Sequence, residues 1–246
     1  MKRSMAVLLG MVATMAHADQ INVLSGGAAK SFIEPLAKTL PGHTVKLEFQ
    51  PMGKLTKSLA DGYPADMVVV TTEVLDQLKD DPKLNLKAAK PIARVGIGVA
   101  VHEGARSPDI STVEAFKKTL LAAKSVVYID PRVGTSGKHV AEILQRLGIA
   151  DQVNAKARLG SGGAITEPVG RGEIELGIHQ ISEILPVKGV KLAGPLPAEL
   201  QKYTVYVAVP VTQSSKQQVV SDLIRHLSGP EARERLAQAG YTAPGE

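Results

Sequence analysis

The chain reads as an α/β protein of two lobes, and three observations predict this. Short β-rich runs alternate with windows of helical periodicity. Several of those runs are continuously apolar, as strands covered on both faces must be. Three of the strand-to-helix turns are built from Gly, Ser and Thr.

The strand candidates are residues 21–24, 45–49, 67–70, 95–101, 125–129, 176–179 and 205–209. Between them, Phe32, Leu36 and Leu40 share one helical face, Phe116 and Leu120 a second, and Val140, Leu144 and Leu147 a third. Ser111-Thr-Val-Glu114 has the spacing of a capping box at the start of the helix that carries Phe116. Ser228-Gly-Pro-Glu231 suggests the same device for the last helix. A long strand over Val95–Val101 that runs into the turn-rich segment 102–109, and the stretch Leu196–Tyr203, are the expected joints between lobes. The expected division is 19–100 with 201–246 as the first lobe and 101–200 as the second.

Residues 1–18 carry a different message. Lys2 and Arg3 precede the apolar run Met5–Met15, and Ala16-His17-Ala18 supplies a small-x-small cleavage site, the organisation of a secretory signal. The run is shorter than the about 20 residues a membrane-spanning helix needs. Cleavage after Ala18 would leave 246 − 18 = 228 residues, exported and without a membrane anchor. Export permits disulfides, but the chain has no cysteine, so stability rests on core burial. With 3 Phe, 5 Tyr and no Trp, that core is aliphatic and few rings remain to stack on sugars or bases.

Charge narrows the partners. The whole chain carries +5, and loss of Lys2 and Arg3 leaves 27 − 24 = +3. The basic residues are spread out rather than clustered in a stripe with aromatics, which argues against nucleic acid. A mild positive balance suits a small anion.

The chemistry is expected in the turns. Val23–Ala29, Ile129–Gly137 and Leu159–Ala164 each read as strand, small-residue turn and helix start. There the first helical N–H groups have no partner within the helix, and the dipole favours negative charge. Such turns often carry Gly and Ser for capping alone; three in one exported chain favour an anion site. The ligand-binding candidates are Ser25, Gly26, Gly27, Met52, Gly53, Thr135, Ser136, Gly137, Ser161, Gly162, Gly163, His179 and Gln180. Lys30, Lys54, Arg132, Lys138 and Arg158 could supply counter-charge.

Other signatures are missing. Gly137-Lys138-His139 lacks the flanking residues of a P-loop, and no GxSxG elbow occurs. Histidines 43, 102, 139, 179 and 226 show no metal spacing. No metal or cofactor is expected. His179 stands apart because it ends a buried strand.

Taken in order, Ser25-Gly-Gly-Ala-Ala29, Pro64-Ala-Asp66, Thr135-Ser-Gly137, Gly170-Arg-Gly-Glu-Ile-Glu-Leu-Gly177 and Leu227-Ser-Gly-Pro-Glu-Ala232 resemble the periplasmic molybdate-binding proteins. The resemblance implies a type II periplasmic binding fold with an anion held by neutral donors in an interlobe cleft. It also implies a periplasmic monomer and an ABC-type permease as partner. Two departures matter: the second turn, Gln50-Pro-Met-Gly-Lys54, has no hydroxyl, and His179-Gln180 stands where a tyrosine is usual. The segments 108–111, 115–117, 125–128, 155–158 and 180–183 resemble a branch that includes a bacterial aconitate isomerase. Two functions are therefore expected as alternatives. One is a solute-binding protein that passes an organic polycarboxylate or oxyanion to an importer. The other is a cofactor-free isomerase interconverting trans- and cis-aconitate, with His179, His139 or Glu183 as the base.

Overall fold

The computed structural model describes residues 19–245; the expected signal segment lies outside them. Two five-stranded sheets form, each with helices on both faces, giving the expected two-lobed α/β architecture.

The first sheet has the order β2-β1-β3-β10-β4, from β1 (Gln20–Gly26), β2 (Thr44–Gln50), β3 (Met67–Thr71), β4 (Lys90–Val95) and β10 (Thr204–Pro210). β1, β2 and β3 run parallel, while β10 returns antiparallel to β3 and β4. One face packs on α1 (Lys30–Ala37), α9 (Gln217–Leu227) and α10 (Pro230–Gln238), around Phe32, Leu36, Leu223 and Leu236. The other packs on α2 (Met52–Ala60) and α3 (Thr72–Gln77) through Leu55, Leu59 and Val74. Covering on both faces is why β3 reads Met-Val-Val-Val without alternation and is buried throughout.

The second sheet has the order β7-β6-β8-β5-β9, from β5 (Ile97–His102), β6 (Val126–Ile129), β7 (Ala157–Gly160), β8 (Leu176–Gln180) and β9 (Val190–Pro195). Its main core gathers Phe116 and Leu120 of α4 (Val113–Ala122), Val140 and Leu144 of α5 (Thr135–Arg146) and Val153 of α6 (Ala150–Asn154). A smaller cluster lies under α7 (Glu167–Gly170).

The run Val95–Val101 is two strands rather than one. β4 ends at Val95 in the first sheet, and β5 starts at Ile97 in the second. The expected boundary at residue 100 therefore falls inside β5, and the chain passes between sheets at Gly96. The return passage, before β10, is fastened to the outgoing one by Gln201. Its Oε1 accepts from the Ile97 N–H at 2.8 Å, and its Nε2 donates to the Ile97 carbonyl at 2.9 Å.

Two caps differ from expectation. Thr112, not Ser111, caps α4, accepting from the Ala115 N–H at 3.1 Å. Ser111 instead donates to Asp109 at 2.7 Å. α10 starts behind Gly229 with no side-chain cap, because the Ser228 hydroxyl turns back to the Ile224 carbonyl.

The registers fix where the lobes face each other. Thr204 pairs with Val95, and Tyr206 with Thr71, so the carboxyl ends of β1, β2 and β3 lie at the end of the sheet from which both passages leave. In the second sheet Ile97 pairs with Gln180, and β6 and β7 run parallel to β8. The carboxyl ends of the parallel strands of both sheets thus lie at the ends next to the two passages, where Gln180 meets Thr204 and where open α/β sheets bind ligands in a crevice.

Candidate functional site

One wall of the crevice comes from the first lobe, and its polar groups are largely engaged. Ser25 is fully buried, and its hydroxyl donates to the Gly26 carbonyl at 3.2 Å. The Met52 side chain lies on Gly26 so closely that a Cβ there would collide with Met52 Cε. A side chain at residue 26 would displace the Met52 thioether end. Gly27 and Gly53 are exposed. Gln50, which ends β2, is held by Ser58 at 2.9 Å. A single 3-10 turn, Gly27–Ala29, separates the first turn from α1.

The other wall is less complete. His179 leaves β8 with 5% exposure. Its Nδ1 lies 3.4 Å from Ser136 Oγ in the first turn of α5, and no group meets its buried Nε2 with hydrogen-bonding geometry. Burial drives the ring to a pKa of about 4, offset in part by the nearby backbone of Gly163 and Gly162. At neutral pH the ring is an uncharged imidazole, able to donate or accept. Most buried polar atoms in proteins are satisfied, so an orphaned ring nitrogen at a strand end calls for an explanation.

The three expected anion turns differ. Only α5, twelve residues long behind Gly134, presents a full helical N-terminus directly at its turn, and no side chain caps it. Thr135 is exposed and Ser136 buried there. Gly137 serves packing, since a Cβ would strike the Ile129 carbonyl. After β7 the chain makes turns instead of a helix, and α7 begins only at Glu167 with four residues. Ser161, Gly162 and Gly163 thus offer turn backbone rather than a helix dipole; Gly162, at φ +88°, occupies the left-handed region open to glycine.

Glu183 closes this wall. It sits in α8 (Ile181–Ile184), half-buried, with its carboxylate over Gly163. Burial raises its pKa and is the one cause acting on it. Two phenols of the first lobe lie near: Tyr206 and Tyr241 are buried, and the Glu183 charge raises both further. With Phe32 they form a ring cluster at centroid distances of 4.7–6.1 Å. Tyr241 also donates to the Ala28 carbonyl and lies 3.1 Å from Ser31 Oγ. Ser182 Oγ is buried near Tyr241 without hydrogen-bonding geometry.

The remaining candidates scatter. His139 is committed to the Leu200 carbonyl at 2.7 Å and stands 3.8 Å from Glu142, so no contact brings it to His179. Gln180 donates to Thr204 at 2.9 Å and ties β8 to the return passage. Arg132 pairs with Asp130 and is 84% exposed, which holds Asp130 at about 2. Arg158 lies on β7 and acts on Glu173, ahead of the amino end of β8, so it is placed away from the crevice. Lys30 stands 5.8 Å over the Phe49 ring, while Lys54 and Lys138 are exposed in the first turns of α2 and α5. Ser182 follows His179 and Gln180 at the end of β8 and is legible there from sequence; Tyr206 and Tyr241 carry no local signal. Among the described residues no cluster of His, Cys, Asp and Glu could hold a metal ion, and no helix is long and apolar enough to cross a membrane.

Two α/β lobes joined by two passages at the carboxyl ends of their parallel strands are the architecture of a two-lobed solute-binding protein. The bacterial extracellular solute-binding proteins match residues 21–242, and the chain belongs to that family. It is 31% identical over 229 residues to aconitate isomerase from a Pseudomonas species, covering 89% of this chain and 86% of that one. It is 25% identical over 246 residues to the molybdate-binding protein ModA of Escherichia coli K12, covering 96% and 95%. The periplasmic molybdate-binding protein of Azotobacter vinelandii shares the fold, with a TM-score of 0.70, 16% identity, and coverage of 91% of this chain and 99% of that one.

Proposed function

We propose that this protein captures a small organic polycarboxylate between its lobes in the periplasm and delivers it to an ABC-type importer. The observation that carries the reading is the neutral, buried His179, whose Nδ1 lies beside Ser136 in the uncapped first turn of α5 and whose Nε2 has no well-formed partner, with the Gly162–Gly163 backbone close to the ring. Neutral donors can hold a carboxylate through hydrogen bonds worth about 1.5–3 kcal/mol each. Lys54 and Lys138, exposed in the first turns of α2 and α5 after the carboxyl ends of β2 and β6, suit a ligand with more than one negative charge. An oxyanion such as molybdate is disfavoured by the apolar first wall, where Met52 stands in place of a hydroxyl.

A second reading is favoured by one observation. Two groups able to take a proton, His179 and Glu183, flank the same glycine, Gly163. That arrangement suits a cofactor-free isomerase of the aconitate type. A base removes a proton from the substrate's methylene carbon, the double bond shifts, and a proton returns at another carbon. The relative with this activity is the 31%-identical one.

Proton NMR of trans-aconitate with the purified mature protein separates the readings. Line broadening without new signals is the expected result for a receptor. Growth of cis-aconitate signals in proportion to protein would replace it with the isomerase, and unchanged spectra would remove aconitate from both.

A further inference from the structure

We propose that the Glu183 carboxylate sets which anions the crevice accepts. It turns away tetrahedral oxyanions that bring no proton and holds a polycarboxylic acid that retains one. The inference rests on the polycarboxylate reading above and names the ligand's protonation state.

Glu183 lies on α8, and its carboxylate is over Gly163, a turn position whose backbone also lies close to the His179 ring. A Cβ on Gly163 would collide with Glu183 Oε2 and sit 3.1 Å from Cδ, so carboxylate and turn backbone form one surface. Among the described residues no cation or hydrogen-bond donor contributes to its charge state. Tyr206 of β10 and Tyr241 beyond α10 face it from the first lobe, and Glu73 of α3 acts on Tyr206 from the same side. Glu167, Arg171 and Lys188 share with it an open groove of ≈ 530 Å³. Arg171 there is already paired with Glu167 and Glu173.

An unneutralised carboxylate in a partly desolvated wall repels a second full negative charge. It is also an acceptor with no donor supplied by the protein. A ligand carboxyl group that keeps its proton donates it into a short, charge-assisted hydrogen bond. The neutral His179 cannot make up the charge, since burial holds it deprotonated at neutral pH. Binding a fully ionised ligand from solution therefore takes up about one proton from the medium.

Titration calorimetry on the mature protein tests this, with trans-aconitate and sodium molybdate as probes, at pH about 5.5 and 7.5, in buffers of different ionisation heat. The wild type should bind trans-aconitate at least about tenfold more tightly at the lower pH, with buffer-dependent heat. Glu183→Gln should lose both the pH dependence and the proton uptake, and should gain about tenfold in molybdate affinity. Glu183→Ala should do the same without adding an amide donor, and Glu234→Gln, on the exposed face of α10, should leave all three readouts unchanged. Identical pH profiles and molybdate affinities in wild type and both Glu183 variants would overturn the inference. If the wild type binds no polycarboxylate, the ligand reading fails, and the molybdate comparison alone still judges Glu183.

Discussion

Gln50 and His179 make the two walls of the crevice comparable. Gln50 ends β2, His179 is the next-to-last residue of β8, and each is 5% exposed. Gln50 accepts from Ser58 at 2.9 Å and donates to Glu48 at 3.4 Å. His179 has one long contact to Ser136, and its Nε2 has no well-formed partner, the Gly162–Gly163 backbone being the nearest polar neighbour of the ring. Equal burial therefore has opposite energetic consequences. The first-lobe wall spends its polar groups on itself and is stable without help. The second-lobe wall leaves polar groups unpaired, which costs stability and keeps them open to another partner. Specificity is accordingly expected from the second lobe and rigidity from the first.

The largest test is acid. His179 has a folded pKa of about 4 against an ordinary 6.5, so the unfolded chain binds more protons between those values. Stability is then lost as pH falls from 6.5 to 4, by about 3 kcal/mol in total. Urea unfolding across this range should show that slope in the wild type. His179→Leu, with no proton to gain, should lack it and should bind trans-aconitate poorly. A variant profile that superimposes on the wild type would mean that the ring is not held neutral by the wall.

A direct comparison at pH 8 comes next in size. Gln50→Leu strands the Ser58 hydroxyl and should cost about 1–2 kcal/mol in urea unfolding, with ligand affinity unchanged. His179→Leu removes a group that was already unpaired and should change stability by less than about 1 kcal/mol. Equal costs would erase the distinction between the walls.

The same contrast explains what could be read from sequence. The buried strands β1, β3, β6, β8 and β10 announce themselves as apolar runs because both faces are covered. β7 and β9 lie at sheet edges, and no residue of either is fully buried. β4 opens with Lys90-Pro91, both exposed, so no apolar run marks it. The passage at Gly96 was hidden because Val95 to Val101 is one unbroken run of small and apolar residues. In the site, the turns and His179 were legible as local motifs. The placement of Glu183 against Tyr206 and Tyr241 was not, because it joins three distant segments, and no spacing rule relates them. His139 illustrates the reverse error: its place on α5 looked suitable, but the Leu200 carbonyl, which arrives from far along the chain, takes its Nε2.

Helix starts give the smallest and most discriminating test. Ser111 fits the capping-box spacing to Glu114, yet Thr112 has the extended backbone of a cap, at φ −126° and ψ 165°, and holds the Ala115 N–H. Thr112→Ala should cost about 1 kcal/mol by thermal or urea unfolding. At α5, where Gly134 provides no side-chain cap, the exposed Thr135 caps nothing. Thr135→Ala should therefore leave stability within about 0.5 kcal/mol, since Ala is the better helix former. Its effect should appear in ligand affinity instead. If Thr135→Ala destabilises as much as Thr112→Ala and leaves binding unchanged, then the first turn of α5 belongs to the scaffold and the open wall shrinks to His179, Gly163 and Glu183.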